Sequence, residues 1–317
     1  MMTRNECAGW LLQNDRFLIL THRRPDGDTL GASAALCRGL RNLGKQAYVL
    51  ENPEITPRYA WLHEGLTKAA PEENDILVCV DVAAPELLPK NAAANPERIA
   101  LRIDHHKSAT GFTPMAVVDP ASASCAEMVY DILSAMESPL DAHTAEAVYV
   151  GLSTDTGCFR YANTTDHSFL VAAACARAGA PIYRLNQLLF ETQSLARLRM
   201  QGWMVEHTKI FGGGKLAVCA IPKAVEQELQ ANEDDLDNIS GFPRTIAGVC
   251  MAATLRETGD GRCKLSVRAL PGYDAAAICA KFGGGGHAGA AGASTDLPLQ
   301  EAEQAVIKTL EDYLAEN

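Results

Sequence analysis

Short apolar runs punctuate the first half of the chain, and each is cut off by a polar residue or a turn signal. Runs at 17–20, 46–50, 76–80, 99–103 and 115–118 have the length of strands. They alternate with stretches of helical spacing at 3–14, 29–43, 124–136 and 142–152. The run Ile76-Leu77-Val78-Cys79-Val80 is apolar at every position, as a strand covered on both faces requires. Strands alternating with helices predict an α/β fold with a doubly wound parallel sheet. Residues 51–74 carry prolines and charges and read as irregular, with a short helix near 59–62.

The pattern changes after residue 165. From 166 to 208 it is helical almost throughout, and 186–208 is taken as a connector between a first domain (1–185) and a second (209–317). In the second domain a strand at 215–221 follows the turn Gly212-Gly213-Gly214. Segments 245–257 and 262–269 flank Gly259-Asp260-Gly261, a hairpin signal. A helix at 274–282 leads into Gly283-Gly284-Gly285-Gly286-His287, and a helix at 299–315 follows. This half reads as a smaller mixed α+β domain. No internal repeat or long low-complexity segment is visible.

Composition narrows the function classes. The chain has 317 residues, enough for two domains, and a net charge of −11. Proteins that grip long nucleic acids carry basic bias, so a nucleic-acid substrate here should be short. No segment approaches the roughly 20 apolar residues that span a bilayer. The N-terminus lacks a signal peptide's apolar stretch, so a cytoplasmic location is expected. The ten cysteines are scattered without a C-x-x-C pair. Cys37, Cys79, Cys125 and Cys175 sit in apolar or Ala-rich surroundings, as reduced core residues do, rather than in a disulfide frame or zinc site.

Four polar stretches then stand at the ends of predicted elements: His22, Asp26 and Asp28; Asp81; Asp104-His105-His106; and Asp155. In a parallel sheet such termini gather on the carboxyl edge, where ligands bind. Each piece alone has an ordinary reading, Asp28 as a helix cap, Asp81 as a turn residue, His105 and His106 as a surface pair. Together they form an oxygen-rich set with imidazoles and no thiolate. That donor chemistry suits Mn²⁺ or Mg²⁺, and Zn²⁺ or Fe²⁺ less well. Four or more gathered carboxylates repel one another without cations, and two divalent ions about 3.5–4 Å apart are a common solution in phosphatases and nucleases.

The pattern His22-x-x-Pro25-Asp26-x-Asp28, Asp81, Asp104-His105-His106 and Asp155 resembles the four motifs of the DHH phosphoesterase family. Gly283-Gly284-Gly285-Gly286-His287 is similar to the signature of the DHH-associated C-terminal domain. The run from Thr154 to Thr165 is similar to the oligoribonuclease and pAp-phosphatase type. The resemblance covers about residues 15 to 295, and no ligand position departs from it. It implies a dinuclear site, usually of Mn²⁺, with Mg²⁺ as the alternative. His22, Asp26 and Asp81 would hold one ion, and Asp28, Asp81, His105 and Asp155 the other, with Asp81 bridging. Water activated between the ions would attack phosphorus. His106 would stabilise phosphate charge or protonate the leaving oxygen, and Asp104 would orient an imidazole. Arg160, Arg268, Gly284, Gly285, Gly286 and His287 would bind substrate, with the active site in a cleft between the domains.

The function expected from this resemblance is hydrolysis of short RNA or DNA oligonucleotides to mononucleotides, of 3′-phosphoadenosine 5′-phosphate (pAp), or of both, with a second copy of the chain as a candidate partner in a homodimer. The alternatives are a phosphodiesterase for cyclic or linear dinucleotides such as c-di-AMP and, from another class, a non-catalytic nucleotide sensor. A processive exonuclease lacks support in the charge balance, and the GGGGH signature speaks against a manganese pyrophosphatase. His63, His143, His167 and His207 have no partners at ligand spacing and read as surface or helix residues. Cys158 has no base nearby to activate it.

Overall fold

In the computed structural model the described residues are 1–92, 96–107, 109–236 and 238–316. They form two compact units, Met1–Thr192 and Gln193–Asn317. The first unit runs α1 (Arg4–Gln13), β1 (Phe17–Leu20), α2 (Gly27–Asn42), β2 (Ala47–Leu50), β3 (Thr67–Lys68), β4 (Ile76–Val80), β5 (Ile99–Asp104), β6 (Met115–Val118), α3 (Cys125–Ala135), α4 (Ala142–Asp155), α5 (Asp166–Arg177) and α6 (Ile182–Asn186). Its strands form one all-parallel sheet in the order β3-β2-β1-β4-β5-β6. The order reverses direction at β1, so the crevice between the ends of β1 and β4 is the switch point where such sheets bind ligands.

Both faces of the sheet are covered, which is why its central strands read as unbroken apolar runs. Phe17 and Ile19 of β1 enter a large cluster with residues of α1 to α5. Leu18 and Leu20, pointing the other way, enter a second cluster built with Leu50, Cys79, Val82 and Leu88. The second face is thus closed by the segment after β4 and its 3-10 turn Pro85–Leu87 rather than by a long helix.

The helices pack closely where the sequence is small. All residues from Gly27 to Cys37 of α2 are buried. A Cβ on Gly31 would lie 2.5 Å from the Ala147 carbonyl oxygen and 2.6 Å from the Gly151 nitrogen of α4. A Cβ on Gly151 would lie 2.4 Å from that of Ala126 and 2.9 Å from Asp28 Oδ1. Backbone meets backbone here, and this approach sets the position of Asp28 relative to the end of α4.

The second unit runs α7 (Leu195–His207), β7 (Lys209–Phe211), β8 (Leu216–Ile221), α8 (Lys223–Glu228), α9 (Glu233–Leu236), β9 (Met251–Glu257), β10 (Cys263–Ala269), α10 (Ala275–Ala280), β11 (Gly285–Gly286), β12 (Ala290–Thr295) and α11 (Leu299–Glu316). Its mixed sheet has the order β11-β12-β10-β9-β8-β7, parallel only between β8 and β9. One face packs on α10 and α11 through Leu265, Val267, Ile278, Val306 and Leu310. The other receives Met200 and Met204 of α7 with Ile221 and Ile239.

Several boundaries differ from the sequence reading. Helix α2 starts at Gly27, because Asp26, not Asp28, is the N-cap. Helix α4 runs on to Asp155. The strand expected from 245 starts at Met251, because Ile239–Thr245 is a 3-10 turn containing Pro243. The two-residue β3 and the small-residue β12 had no strand signal. His63, read as a surface or helix residue, ends the 3-10 helix Ala60–His63 and is buried at 3% exposure, with Nε2 2.9 Å from Ser33 Oγ. Among the described residues no helix is long and apolar enough to cross a membrane.

The contact between α2 and α4 yields a test. Gly31→Ala should lower unfolding stability by about 1–3 kcal/mol, because a rigid backbone cannot make room for the methyl group. Urea denaturation measures it, and an unchanged midpoint would show that α2 and α4 do not meet at this glycine.

Candidate metal centre

The loop after β1 carries the first group. Asp26 caps α2, its Oδ1 accepting the N–H of Asp28 at 3.0 Å and of Thr29 at 3.2 Å. Thr29 Oγ1 donates to the Val80 carbonyl and accepts the His22 N–H, so the loop is tied to the end of β4. His22 Nδ1 lies 2.8 Å from the Arg23 carbonyl oxygen, which can only accept. The ring therefore carries its proton on Nδ1, and the Nε2 lone pair is left to face Asp26 Oδ1 at 3.6 Å and Asp81 Oδ2 at 3.7 Å.

Asp81 ends the apolar run of β4. Its φ of 60° is left-handed, an unfavourable conformation for aspartate that costs on the order of 1–3 kcal/mol. The turn aims the carboxylate along the sheet edge. Asp81 is 3% exposed, and its Oδ1 is buried without a hydrogen-bond partner among the described residues. That oxygen lies 3.5 Å from His105 Nε2 and 3.5 Å from His106 Nδ1. The two oxygens thus face opposite sides, Oδ2 toward His22 and Oδ1 toward His105.

Asp28 and Asp155 complete the second side. Asp28 is buried, and its oxygens accept the N–H groups of Cys125 at 2.7 Å and Ala126 at 2.9 Å. These are free donors at the N-terminus of α3, a favourable place for a carboxylate. Asp155, the last residue of α4, brings Oδ2 to 3.8 Å from His105 Nε2, and Asp28 Oδ2 is 3.7 Å from the same nitrogen. His105 repeats the arrangement of His22: Nδ1 faces the Ser122 carbonyl at 3.3 Å and Nε2 faces the carboxylates.

Two sets of atoms, one from His22, Asp26 and Asp81 and one from Asp28, His105 and Asp155, each lie within 4.8 Å of one another. Separations of 3.5–3.8 Å are too long for hydrogen bonds and fit neighbouring ligands on one cation with bonds of about 2.0–2.2 Å. The orphaned Asp81 Oδ1 and the two bare Nε2 atoms make the donor set fit divalent ions. His105 and His106 also form such a set with Asp81, but His106 Nδ1 is engaged by Asp104 Oδ1 at 2.8 Å. Asp104 is fully buried and also accepts the His106 N–H at 3.2 Å. Arg102 Nη1 stands 3.9 Å from its other oxygen.

The electrostatics follow the crowding. Burial, then the Asp28 and Asp26 charges, hold Asp81 well above the usual carboxylate range. Burial and Asp28 push Asp155 up to about 7. For His22 burial works in the opposite direction, but Asp26 and Asp81 outweigh it and raise the imidazole to about 9. His106 is raised first by its hydrogen bond to Asp104. Without metal, then, protons do the neutralising.

The remaining candidates are the expected substrate-binding residues. Arg160 folds back in its own turn, Nε donating to the Gly157 carbonyl at 2.6 Å. Arg268, Gly284, Gly285, Gly286 and His287 belong to the second unit. Arg268 lies on β10, opposite Ala290 of β12. His287 and Ala290 exchange backbone hydrogen bonds and close the turn between β11 and β12. A Cβ on Gly284 would lie 2.2 Å from the Gly292 carbonyl oxygen, and one on Gly286, at φ 147°, 2.6 Å from Ala291 Cα. These two glycines are therefore demanded by the neighbouring strand itself, whereas Gly285 faces open space. Sequence reasoning passed over the backbone donors of Cys125 and Ala126, which no side-chain motif can show, and the amides of Asn52 and Asn163.

A parallel α/β sheet whose switch point carries two carboxylate-imidazole sets, with Asp81 of the first 3.5 Å from His105 of the second, has the donor chemistry of the phosphoesterases that use divalent cations. The chain belongs to the DHH family: residues 16–152 match the DHH family N-terminal domain and residues 213–316 the DHHA1 domain. It is 33% identical over 302 residues to a Thermus thermophilus protein described as the bifunctional oligoribonuclease and PAP phosphatase NrnA, covering 93% of this chain and 89% of that one. It is 26% identical to the cyclic-di-AMP phosphodiesterase GdpP of Geobacillus thermodenitrificans, over 96% of this chain but 48% of that longer protein. Its fold is shared with an exopolyphosphatase-related protein from Bacteroides fragilis, with a TM-score of 0.88, 24% identity, and 98% and 96% of the two chains covered.

The raised Asp155 fixes the sign of a pH effect. Its contribution to metal-free stability is complete below the unfolded value of 3.8 and is lost as pH rises through about 7. Chelator-treated wild type and Asp155→Asn should therefore melt alike at about pH 3.5, and the variant should melt progressively higher as the pH rises to about 8. Saturating Mn²⁺ should reverse the order at the higher pH. Parallel melting curves at all pH values would show that Asp155 does not share the crowded charge.

Proposed function

We propose that this chain is a metal-dependent phosphohydrolase that cleaves short oligonucleotides to mononucleotides and removes a phosphate from pAp. The observation that carries the reading is the buried Asp81 carboxylate, with His22 on one side and His105 on the other and one oxygen left without a hydrogen-bond partner among the described residues. The Thermus thermophilus relative, similar along nearly the whole length, supports the substrate class. In this reading His22, Asp26 and Asp81 hold one ion, Asp28, Asp81, His105 and Asp155 the other, and both are Mn²⁺. Such a pair supplies an acidified water and neutralises phosphoryl oxygens.

The chain's own groups do the rest. His106, whose proton affinity the hydrogen bond to Asp104 raises, would face the phosphate and pass a proton to the leaving oxygen. Asp104 fixes the ring's orientation. Arg160 and Arg268 offer guanidinium groups to phosphate. Gly284, Gly285, Gly286 and His287 hold the part of the substrate away from the scissile bond. Ten free cysteines fit the reducing cytoplasm.

Incubation with Mn²⁺ and pAp, dinucleotides, short RNA, c-di-AMP and pyrophosphate ranks the substrates. Short oligonucleotides and pAp should turn over fastest. A clear preference for c-di-AMP, with pAp and short RNA inert, would transfer the assignment to the cyclic dinucleotide class. His106→Ala should keep its metal content and lose rate by about 10²–10⁴-fold. Loss of an ion in that variant would make His106 a ligand instead.

A further inference from the structure

The ion-facing side chains are held from behind by groups that the motifs do not name. Asn52 follows β2 and is 6% exposed. Its Nδ2 donates to Thr21 Oγ1 at 3.0 Å and to the His22 carbonyl at 2.9 Å, while its Oδ1 accepts the Glu54 N–H at 3.0 Å. Thr21 and His22 lie past the end of β1, where the sheet no longer supplies lateral hydrogen bonds. Asn52 supplies them instead, on the very residue whose Nε2 faces Asp26 and Asp81.

Asn163 does the corresponding task on the other side. Its Nδ2 donates to the Ala123 carbonyl at 2.9 Å, the Asp155 carbonyl at 3.1 Å and Asp155 Oδ2 at 3.3 Å. Three acceptors around one atom require the amide nitrogen there, so the orientation of this amide is determined. Helix α4 ends at Asp155, and its last carbonyls have no partner inside the helix. Asn163 satisfies the Asp155 carbonyl and steers that residue's carboxylate. Through Ala123 it also ties Asp155 to the segment entering α3, whose N–H groups hold Asp28.

We propose that Asn52 and Asn163 are positioning residues, each serving one cation position: Asn52 the side of His22 and Asp26, Asn163 the side of Asp28, His105 and Asp155. This rests on the two-ion reading above. Neither amide touches an ion or substrate in this scheme. Each acts by holding a ligand in its binding orientation before the ion arrives, and such outer partners typically change metal affinity by about 10–100-fold.

The test is calorimetric titration of the chelator-treated full chain with Mn²⁺, in double-mutant cycles. Asn163→Ala should weaken one of two binding events by about 10–100-fold. That loss should vanish in an Asp155→Ala background and persist in a His22→Ala background. Asn52→Ala should show the converse. Asn163→Asp, which keeps the shape but turns a carboxylate oxygen toward three acceptors, should bind more weakly than the alanine variant. It also carries the test by itself if alanine compromises folding. A space-filling role predicts that the isosteric aspartate restores wild-type binding, and that result would overturn the proposal. So would equal weakening of both events in each asparagine variant while wild type binds two ions. Fewer than two ions on wild type would instead remove the two-ion reading, and the asparagine assignment with it.

Discussion

Carboxylates that would repel one another share a single sheet edge, and everything around them serves to keep them there. Asp28 and Asp81 are buried, and Asp81 Oδ1 has no hydrogen-bond donor among the described residues. Burying an uncompensated carboxylate is so unfavourable that the group takes up a proton or a cation. The upward displacement of Asp81 and Asp155 is the protonated answer, and a pair of divalent ions is the answer that retains the negative charges. The imidazoles of His22 and His105 already face inward through Nε2 with Nδ1 engaged by carbonyl groups. Proton and metal therefore compete for one set of lone pairs.

The fold pays for this arrangement in local strain and close packing. Asp81 sits in a left-handed conformation, Asp28 is braced by the N-terminus of α3, and Gly31 and Gly151 let α2 and α4 touch. A side chain at Gly151 would strike both Ala126 and Asp28, so helix packing and site geometry are one constraint. The sheet supplies the remainder: β1 and β4 are neighbours in parallel register, so Asp81 and the loop carrying His22 must emerge side by side.

The parts of this design that were legible in the sequence share a cause. Asp81 and Asp104 stop apolar runs, and the His22 loop follows one, so strand ends could be located and their gathering inferred from parallel topology. The illegible parts have causes as well. Strand β12, Ala-Ala-Gly-Ala-Ser-Thr, lacks the branched apolar residues that announce a strand, yet it pairs with β10 and fills the space that makes Gly284 and Gly286 obligatory. Backbone donors at α3 leave no trace in residue type. Asn52 lies in a stretch read as irregular, where one amide among prolines and charges carries no periodic signal. His63 lies there too, and its burial comes from packing against Leu30 and Ser33, far away in sequence.

The central claim is that one carboxylate, Asp81, belongs to both cation positions. The most direct measurement is the number of Mn²⁺ ions bound per chain by wild type and by Asp81→Ala, determined by equilibrium binding on folded protein. The account predicts two ions on wild type and the loss of high-affinity binding at both positions in the variant. One ion retained at wild-type affinity would contradict it, because the remaining position would then be complete without the shared oxygen.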